Sequence, residues 1–366
     1  SRRFYLISLG CPKHLVDSEG IATLLGRAGY RAAADPEEAD LLIVNTCGFI
    51  EPAREESRAV LRELAQARQP GQRIVAAGCY SQRCPDELAE AVPGIDGLIG
   101  TRRWMDIVTL VEQLDERAEE QEPAYHLPEP PSVGQDVSDM PRVAVQGASA
   151  YLKLADGCRR SCAFCAIPLI KGPTVSRLPE DILADAAWLA ERGTQEIILI
   201  AQDTTGYGRD LGMREGAAEL LERMVGAVDQ VPWIRLMYAY PDRVTERLIE
   251  TMARYAQILP YLDIPLQHAH PDVLRRMRRP ADVERVRRTV ERLRAAMPEI
   301  AIRTTFLVGY PGETEAEFQA LLDFVAEVAF DRVGVFAYSC EVGTPAARLA
   351  DDVVPEVKEE RRERLM

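Results

Sequence analysis

The sequence predicts an α/β protein with an N-terminal open parallel α/β domain followed by a partial (β/α)6 TIM-like barrel. The chain has 366 residues, more than the ~150 of one ordinary domain. Short apolar segments alternate with helix-like segments along most of this length. Apolar residues make up 47% and charged residues 28% of the chain, which is typical of a globular protein.

Residues 1–114 carry the parallel α/β pattern. Strands are expected at residues 4–9, 40–44 and 73–77, with helices near residues 15–27 and 52–68. Residues 115–142 are acidic and rich in proline, and they show no periodicity that could bury one face. We therefore predict a linker or a peripheral hairpin there.

Residues 143–345 contain six apolar segments with helical sequence between them. The segments are YLKLAD, EIILIAQD, WIRLMYAY, YLDIPLQ, AIRTTFLVGY and RVGVFAYS. A complete eight-unit barrel needs ~250 residues, so this shorter region predicts six βα units in an open barrel. Residues 346–366 predict a charged C-terminal helix with no stop signal, so a further small domain is expected after it.

The charge and hydropathy of the chain limit its partners and its location. A net charge of −14 argues against a surface built to bind nucleic acid and suits a basic partner better. No apolar run is long enough to span a membrane, and no secretory signal opens the chain. The sequence therefore predicts a cytoplasmic protein with no membrane partner.

The strongest motif is a Cys-x3-Cys-x2-Cys loop, Cys158, Cys162 and Cys165, directly after the first barrel strand. Structural zinc normally takes four protein ligands, and no fourth Cys or His lies near the loop. Three thiolates on a 4Fe–4S cluster would leave one iron open to chelate S-adenosylmethionine. The alternative is a three-cysteine zinc site completed by water or by a distant ligand.

A second set of cysteines follows three strands of the N-terminal domain. Cys11, Cys47 and Cys79 come after FYLISLG, DLLIVNT and RIVAAG. The ends of parallel strands meet in one crevice, so we expect these thiols to form another three-cysteine site. The alternative is three buried apolar thiols. Cys84 and Cys340 belong to neither set and are expected to be free thiols, although Cys84 is a rival to Cys79.

Several motifs together resemble the radical S-adenosylmethionine methylthiotransferases over essentially the whole chain. The motifs are LGCPKHLVDSE, NTCGFI, GCYSQRC and GCRRSCAFCAIP. AQDTTGYG, YAYPDRVT, YLDIPLQH, VGYPGET and DRVGVFAYS resemble the RimO-type branch, which acts on ribosomal protein S12. His14 stands where the family usually has Asn, and Cys340 where a residue other than Cys is expected. The short β-rich C-terminal domain of the family does not appear in this sequence.

The resemblance implies an enzyme that adds a methylthio group to the β-carbon of an aspartate in ribosomal protein S12. It implies two 4Fe–4S clusters. The cluster on Cys158, Cys162 and Cys165 would generate a 5′-deoxyadenosyl radical from S-adenosylmethionine, and an auxiliary cluster would hold the sulfur. The sulfur source would be sulfide or a polysulfide, and the electron donor a protein such as flavodoxin. The partner would be the ribosomal protein or the small ribosomal subunit.

Candidate contacts to S-adenosylmethionine lie beside the cysteine loop and at barrel strand ends. Phe164 and the loop at residues 309–313 are expected to pack on the adenine, and polar contacts are expected from strand-end side chains. The full set is Phe164, Ser176, Arg177, Gln202, Asp203, Gly309, Pro311 and Gly312. A solvated surface charge is the alternative for Arg177.

Two further polar clusters have simpler interpretations. His268 and His270 are expected to be a rim-facing histidine and a helix-entry histidine, because no carboxylate pattern completes a metal site. The arginine-rich residues 275–279 predict a solvated helix face, with contact to ribosomal RNA as the alternative. A tRNA-modifying methylthiotransferase and a non-catalytic iron-sulfur carrier remain as alternative functions, and the negative charge makes tRNA the less favoured partner.

Overall fold

The computed structural model describes residues 2–117, 122–128 and 140–366. Contacts divide the chain into two compact units. Unit 1 comprises Ser1–Ala144 and Leu169–Pro173, and unit 2 comprises Val145–Pro168 and Thr174–Met366. No helix among the described residues has both the length and the apolar character needed to cross a membrane.

Unit 1 is built on a six-stranded parallel sheet in the order β2-β1-β3-β4-β5-β6. The strands are β1 (Arg3–Ser8), β2 (Arg31–Ala32), β3 (Leu41–Thr46), β4 (Arg73–Gly78), β5 (Gly97–Gly100) and β6 (Ala124–His126). Its helices are α1 (Pro12–Arg27), α2 (Glu51–Ala67), α3 (Cys79–Arg83), α4 (Pro85–Ala91) and α5 (Ile107–Asp115). The predicted parallel α/β domain is confirmed.

Apolar cores cover both faces of this sheet. Leu41 and Ile43 of β3 belong to the core that contains α1 and α5, whereas the alternate residues Leu42 and Val44 belong to the core that contains α2 and α4. Successive side chains of a strand point to opposite faces, so an apolar run such as LLIV serves both cores. This two-sided burial fixes the sheet and thereby the positions of the loops at its carboxyl edge.

The segment predicted as a linker contributes to unit 1. Residues 124–126 form β6, which pairs with β5 through Gly97 and Ala124. A strand of three residues is too short for any hydrophobic periodicity, which explains why the sequence pattern does not reveal it. Residues 118–121 and 129–139 of the predicted linker lie outside the described residues.

Unit 2 is built on a seven-stranded sheet in the order β15-β14-β13-β12-β11-β8-β7, with a separate antiparallel pair of β9 and β10. The strands are β7 (Val143–Gln146), β8 (Ser149–Lys153), β9 (Ala155–Asp156), β10 (Val175–Ser176), β11 (Glu196–Ile200), β12 (Trp233–Leu236), β13 (Ile258–Asp263), β14 (Ala301–Val308) and β15 (Arg332–Ala337). Six strands of the large sheet, β8 and β11 to β15, form five neighbouring pairs, and all five pairs are parallel. The predicted six-unit open barrel is confirmed.

Helices connect these strands. They are α6 (Ile167–Lys171), α7 (Pro179–Glu191), α8 (Gly216–Ala227), α9 (Glu246–Arg254), α10 (Pro271–Arg276), α11 (Val283–Ala296), α12 (Glu315–Val328) and α13 (Pro355–Leu365). The charged C-terminal helix α13 packs against β14 and β15 of the large sheet. Lys358, Arg361 and Leu365 are buried on its inner face, because long basic side chains can bury their stems and aim their charged ends at specific acceptors.

Candidate metal centres

The three N-terminal cysteines lie at the carboxyl ends of three adjacent strands. Cys11 caps α1 after β1, Cys47 directly follows β3, and Cys79 directly follows β4 and begins α3. These strands are neighbours in the sheet, and their ends pair: Ser8 with Asn45, and Thr46 with Gly78. The parallel sheet therefore brings the three thiols to one edge, as the sequence predicts.

Two glycines allow the backbone segments of this site to approach each other. A Cβ on Gly48 would lie 2.6 Å from the Tyr80 Cα and 2.7 Å from the Cys79 carbonyl carbon. Gly10 has φ of +97°, and a Cβ there would lie 3.1 Å from the Cys47 Cβ. The loops that carry the cysteines are thus in van der Waals contact, with no room for a larger residue.

The thiols of this site differ in burial and interact electrostatically: Cys79 is buried, Cys47 is partly buried and Cys11 is exposed. The pKa of Cys79 is raised to about 12, mainly by burial; the charges of Cys11 and Cys47 contribute to the rise, and the Lys171 charge opposes it. Burial is also the main reason that the pKa of Cys47 is raised, with Cys11 adding to it. A bound iron cluster would hold all three as thiolates, so metal binding must displace protons here.

Charged and polar groups surround Cys79. His14 Nε2 lies 2.9 Å from the Cys79 Sγ. Lys171 and Arg142 lie 3.4 and 3.6 Å from the two oxygens of Asp17, and these three side chains are almost fully buried. Asp17, Arg142 and Lys171 come from distant parts of the chain, so no sequence motif links them to Cys79.

The barrel cysteines lie on a loop after β9, near the end of the first parallel strand. Within the loop the Cys165 amide donates to the Cys162 carbonyl at 3.1 Å, and the Arg160 amide points at the Cys158 Sγ at 3.4 Å. The Ala163 amide donates to the Met277 carbonyl at 2.8 Å and ties the loop to the end of α10. Burial raises the pKa of Cys158 to about 11 and that of Cys165 to about 12.

The spacing of the thiols does not suit one zinc ion. Tetrahedral zinc binds thiolates at about 2.3 Å, which puts the sulfurs about 3.8 Å apart. In the part of the chain that the structure describes, the only three His, Cys, Asp or Glu ligand atoms within 4.8 Å of one another belong to His270, Asp272 and Glu317. A multi-iron cluster binds each thiolate at a different metal, so it does not require three sulfurs this close together.

Two of the candidate cofactor contacts have groups that a ligand can use. Phe164 is half-buried and packs on an apolar cluster that includes Ala163 and Tyr310. The Gln202 Oε1 is buried and accepts no hydrogen bond from any residue that the structure describes. A buried acceptor of this kind fits an N–H or O–H donor of a bound molecule.

Three other candidates already have protein partners. Asp203 accepts hydrogen bonds from Arg160 Nε at 2.8 Å and from the Thr205 hydroxyl at 2.7 Å. Ser176 bonds to Asp210 through both its amide and its hydroxyl. Arg177 is buried and donates to Asp185 at 2.6 Å, so it is not a solvated charge.

The loop at residues 309–312 is supported from the C-terminal segment. Gly309 has φ of +69°, and a Cβ there would lie 2.3 Å from the Lys358 Cγ of α13. Pro311 is buried, whereas Gly312 is exposed and its amide donates to Asp352 at 2.7 Å. One side of this candidate adenine-binding loop therefore packs against α13.

A buried hydrogen-bond network lies directly behind this loop. His268 Nε2 lies 3.1 Å from Glu313, which also accepts hydrogen bonds from the Gly309 amide at 3.0 Å and from Arg361 at 2.8 Å. His268 and Glu313 have no exposed side-chain surface. The expectation of a rim-facing His268 is wrong, because Glu313, far away in the chain, supplies a buried partner.

His270 begins α10 as predicted, and its Nδ1 accepts the Asp272 amide at 3.3 Å. Two carboxylates do lie beside it, contrary to expectation. Arg275 pairs with Asp272, and Arg276 pairs with Glu317 at 2.9 Å. These acidic side chains therefore neutralise arginines of the same region.

The arginine-rich segment at residues 275–279 is only partly a solvated face. Arg275 and Arg278 are exposed, but Arg279 is 9% exposed and its Nη1 lies 3.7 Å from the Cys162 Sγ. Arg160, inside the cysteine loop, stacks on Tyr240. In the sequence, Arg160 is visible only as a member of the cysteine motif and Arg279 only as a member of a run of charges.

The remaining cysteines, Cys84 and Cys340, belong to neither set of three. Cys84 precedes α4 and packs partly against the apolar core of unit 1, where burial raises its pKa. Cys340 is exposed after β15.

Two family models and many known proteins match this chain. Residues 152–325 match the model of the radical SAM superfamily, and residues 3–100 match that of the uncharacterized protein family UPF0004. The ribosomal protein uS12 methylthiotransferase RimO of Chloroflexus aurantiacus is 50% identical over 100% of this chain and 82% of its own length. The protein of the same name from Roseiflexus sp. is 48% identical over 100% of this chain and 80% of its length.

A solved structure shows the same fold at low sequence identity. The radical S-adenosylmethionine methyltransferase TsrM from Kitasatospora setae, with cobalamin and a [4Fe-4S] cluster bound, superposes with a TM-score of 0.67. It is 17% identical, and the alignment covers 94% of this chain and 77% of that one.

Proposed function

The chain belongs to the family of ribosomal protein uS12 methylthiotransferases, and we propose that it adds a methylthio group to the β-carbon of an aspartate in uS12. One observation carries this proposal. Each unit has its own set of three cysteines: Cys11, Cys47 and Cys79 follow three parallel strands of unit 1, and Cys158, Cys162 and Cys165 lie on one loop of unit 2. Two such sites match a reaction that needs both a radical and a sulfur atom.

The target explains why two sites are required. An aspartate β-carbon is not acidic enough for a side-chain base of ordinary pKa to deprotonate it, so removal of a hydrogen atom is the available route. Reductive cleavage of S-adenosylmethionine is the chemistry that a 4Fe–4S cluster supplies at the barrel site.

The residues of each unit have distinct tasks in this proposal. Cys158, Cys162 and Cys165 hold the barrel cluster with one iron left for S-adenosylmethionine. Gln202 offers its free carbonyl oxygen, and Phe164 and the loop at residues 309–312 offer apolar surface to the same cofactor. Ser176, Arg177 and Asp203 instead stabilise the strand ends through their protein partners.

The auxiliary site is suited to an anionic sulfur source. Cys11, Cys47 and Cys79 hold the second cluster. Lys171, whose charge acts on Cys79, and Arg142 both pair with Asp17, so this buried group has one net positive charge. Sulfide and polysulfides are anions at neutral pH, so a nearby ammonium group favours their approach.

The charge of the chain guides the choice of partners. A net charge of −14 favours a basic ribosomal protein over tRNA. We also propose an electron donor such as flavodoxin and a cytoplasmic location, since the substrate is part of the ribosome.

One experiment distinguishes uS12 from tRNA as the substrate and the barrel site from the auxiliary site. The protein is incubated anaerobically with S-adenosylmethionine, reductant and sulfide, and offered ribosomal protein or tRNA, followed by mass spectrometry. A gain of a methylthio group on uS12 alone supports the proposal, and modification of tRNA alone contradicts it. Cys47→Ala should abolish methylthiolation but still release 5′-deoxyadenosine. Loss of cleavage in Cys47→Ala with an intact barrel cluster would show that the two sites are not independent.

A further inference from the structure

We propose that Arg279 raises the reduction potential of the barrel cluster, because it places an uncompensated positive charge beside Cys162. The inference rests on the proposed function, because it concerns the cluster that Cys158, Cys162 and Cys165 would hold.

Arg279 is fixed against the cysteine loop. Its side chain is buried, Nη1 lies 3.7 Å from the Cys162 Sγ, and Nη2 donates to the Pro265 carbonyl. The hydrogen bond from the Ala163 amide to Met277 joins the loop to the chain two residues before Arg279. The distance between guanidinium and thiol is therefore set by several contacts and not by one flexible side chain.

An aromatic ring fixes the plane of this guanidinium. The Arg279 Cζ lies 4.3 Å from the centroid of the Tyr240 ring, and the Arg160 Cζ lies 3.7 Å from the same centroid. Two cations thus share one ring. Cation–π contact stabilises each of them but neutralises neither.

The two arginines differ in how their charge is balanced. Arg160 pairs with Asp203 at 2.8 Å and with Asp242 at 3.5 Å. Arg279 forms no ion pair with a carboxylate anywhere in the described ranges, and its Nε is buried without a hydrogen-bond partner there. A buried charge is costly unless an anion lies near it. The Cys162 thiolate on a bound cluster, 3.7 Å from the Arg279 Nη1, would be that anion.

The consequence concerns electron transfer. Reduction adds one negative charge to the cluster, and nearby cations and N–H donors to the ligand sulfur stabilise the reduced form. Removing the Arg279 charge should therefore make reduction harder. Because the contact is direct and buried, we expect the equilibrium constant for one-electron reduction to fall at least tenfold, which corresponds to 59 mV.

The experiment isolates one cluster. In a background with Cys11, Cys47 and Cys79 replaced by alanine, Arg279→Met and Arg279→Lys are compared by redox titration followed by EPR. Arg275→Met is the matched control, since Arg275 belongs to the same arginine-rich segment but has 65% of its side chain exposed. Iron content and the Kd for S-adenosylmethionine are measured on each variant.

We expect Arg279→Met to retain the cluster and to shift the equilibrium at least tenfold toward the oxidised form. Arg279→Lys should shift it less, and Arg275→Met should not shift it. An unchanged potential in Arg279→Met overturns the inference, and so does weaker binding of S-adenosylmethionine alone, which would assign Arg279 to the cofactor.

Failure of the cluster to assemble is also decisive. If Arg279→Met binds no iron, the test passes to Arg279→Lys. We then expect this variant to assemble the cluster and to change the equilibrium constant for its reduction by less than tenfold. Loss of iron in both variants overturns the inference. A shift in potential without methylthiolation of uS12 by the parent protein would refute only the proposed function. A background that binds no cluster at all would refute both.

Discussion

Gly48 provides a sharp test of the auxiliary site. In Gly48→Ala the new methyl group would lie 2.6 Å from the Tyr80 Cα and 2.7 Å from the Cys79 carbonyl. Ordinary contact begins at 3.4 Å, so the two backbones must separate by about 0.8 Å. Backbone cannot move aside as a side chain can, and such overpacking costs about 1–3 kcal/mol.

The separation acts directly on the metal ligands, because Gly48 follows Cys47 and the clash is with Cys79. We expect Gly48→Ala to assemble only the barrel cluster, so that it contains about half the iron and sulfide of the parent protein. The assay is anaerobic reconstitution followed by iron and sulfide analysis, with thermal unfolding of the iron-free protein as a measure of the steric cost.

Gly26→Ala is the matched control in the same unit. Gly26 lies in α1 and a Cβ there meets no atom within 4 Å. This variant should keep all its iron and be unchanged or more stable by up to about 1 kcal/mol, since alanine favours helix. If Gly48→Ala contains as much iron as Gly26→Ala and unfolds at the same temperature, the close approach of the two loops is not a requirement of the site.

Three further predictions concern other parts of the chain. Cys84→Ser and Cys340→Ser should each leave iron content and turnover unchanged, and loss of one cluster in Cys84→Ser would identify it as the third N-terminal ligand. Glu313→Ala should lower the free energy of unfolding by about 3–5 kcal/mol in denaturant titration, because it removes the fully buried carboxylate that pairs with the buried Arg361. Glu315 also lies 3.5 Å from Arg361, but its side chain is 59% exposed, so Glu315→Ala should change the free energy by less than about 1 kcal/mol. Burial alone would raise the pKa of Glu317, but hydrogen bonds from its arginine partner and a backbone amide lower it from 4.5 to about 2. Its stabilising effect is therefore complete above about pH 4.5 and is lost as the pH falls toward 2. In thermal unfolding of the iron-free protein, Glu317→Gln should be less stable than the parent at pH 7, and the difference should narrow below pH 4.5; a constant difference would contradict the charge-based account.

The fold and both cysteine sets could be predicted because their signals are local. A mainly apolar strand of six residues followed at once by a cysteine is visible in the sequence, and the rule that parallel strand ends converge supplies the rest. Cys47 after LLIVNT and Cys79 after RIVAAG are examples.

The side chains around the sites could not be predicted in the same way. Arg279 lies 117 residues from Cys162, and His268 lies 45 residues from Glu313. No periodicity links such pairs, because the contact depends on how α10 and the loop after β14 pack against the cysteine loop and α13. The arginine-rich residues 275–279 therefore predict a solvated helix face, although Arg279 is buried.

The segment Leu169–Pro173 has a consequence for any attempt to dissect the protein. It follows Cys165 in the chain but is part of unit 1, where Lys171 pairs with Asp17 and Arg102 donates to the carbonyls of Leu169 and Ile170. A fragment cut after residue 144 would contain every N-terminal cysteine and yet lack the lysine that balances a buried carboxylate. A gene fragment that encodes residues 1–144 is therefore an incomplete module, and a working graft of the auxiliary site onto another scaffold would have to carry a copy of the lysine segment as well.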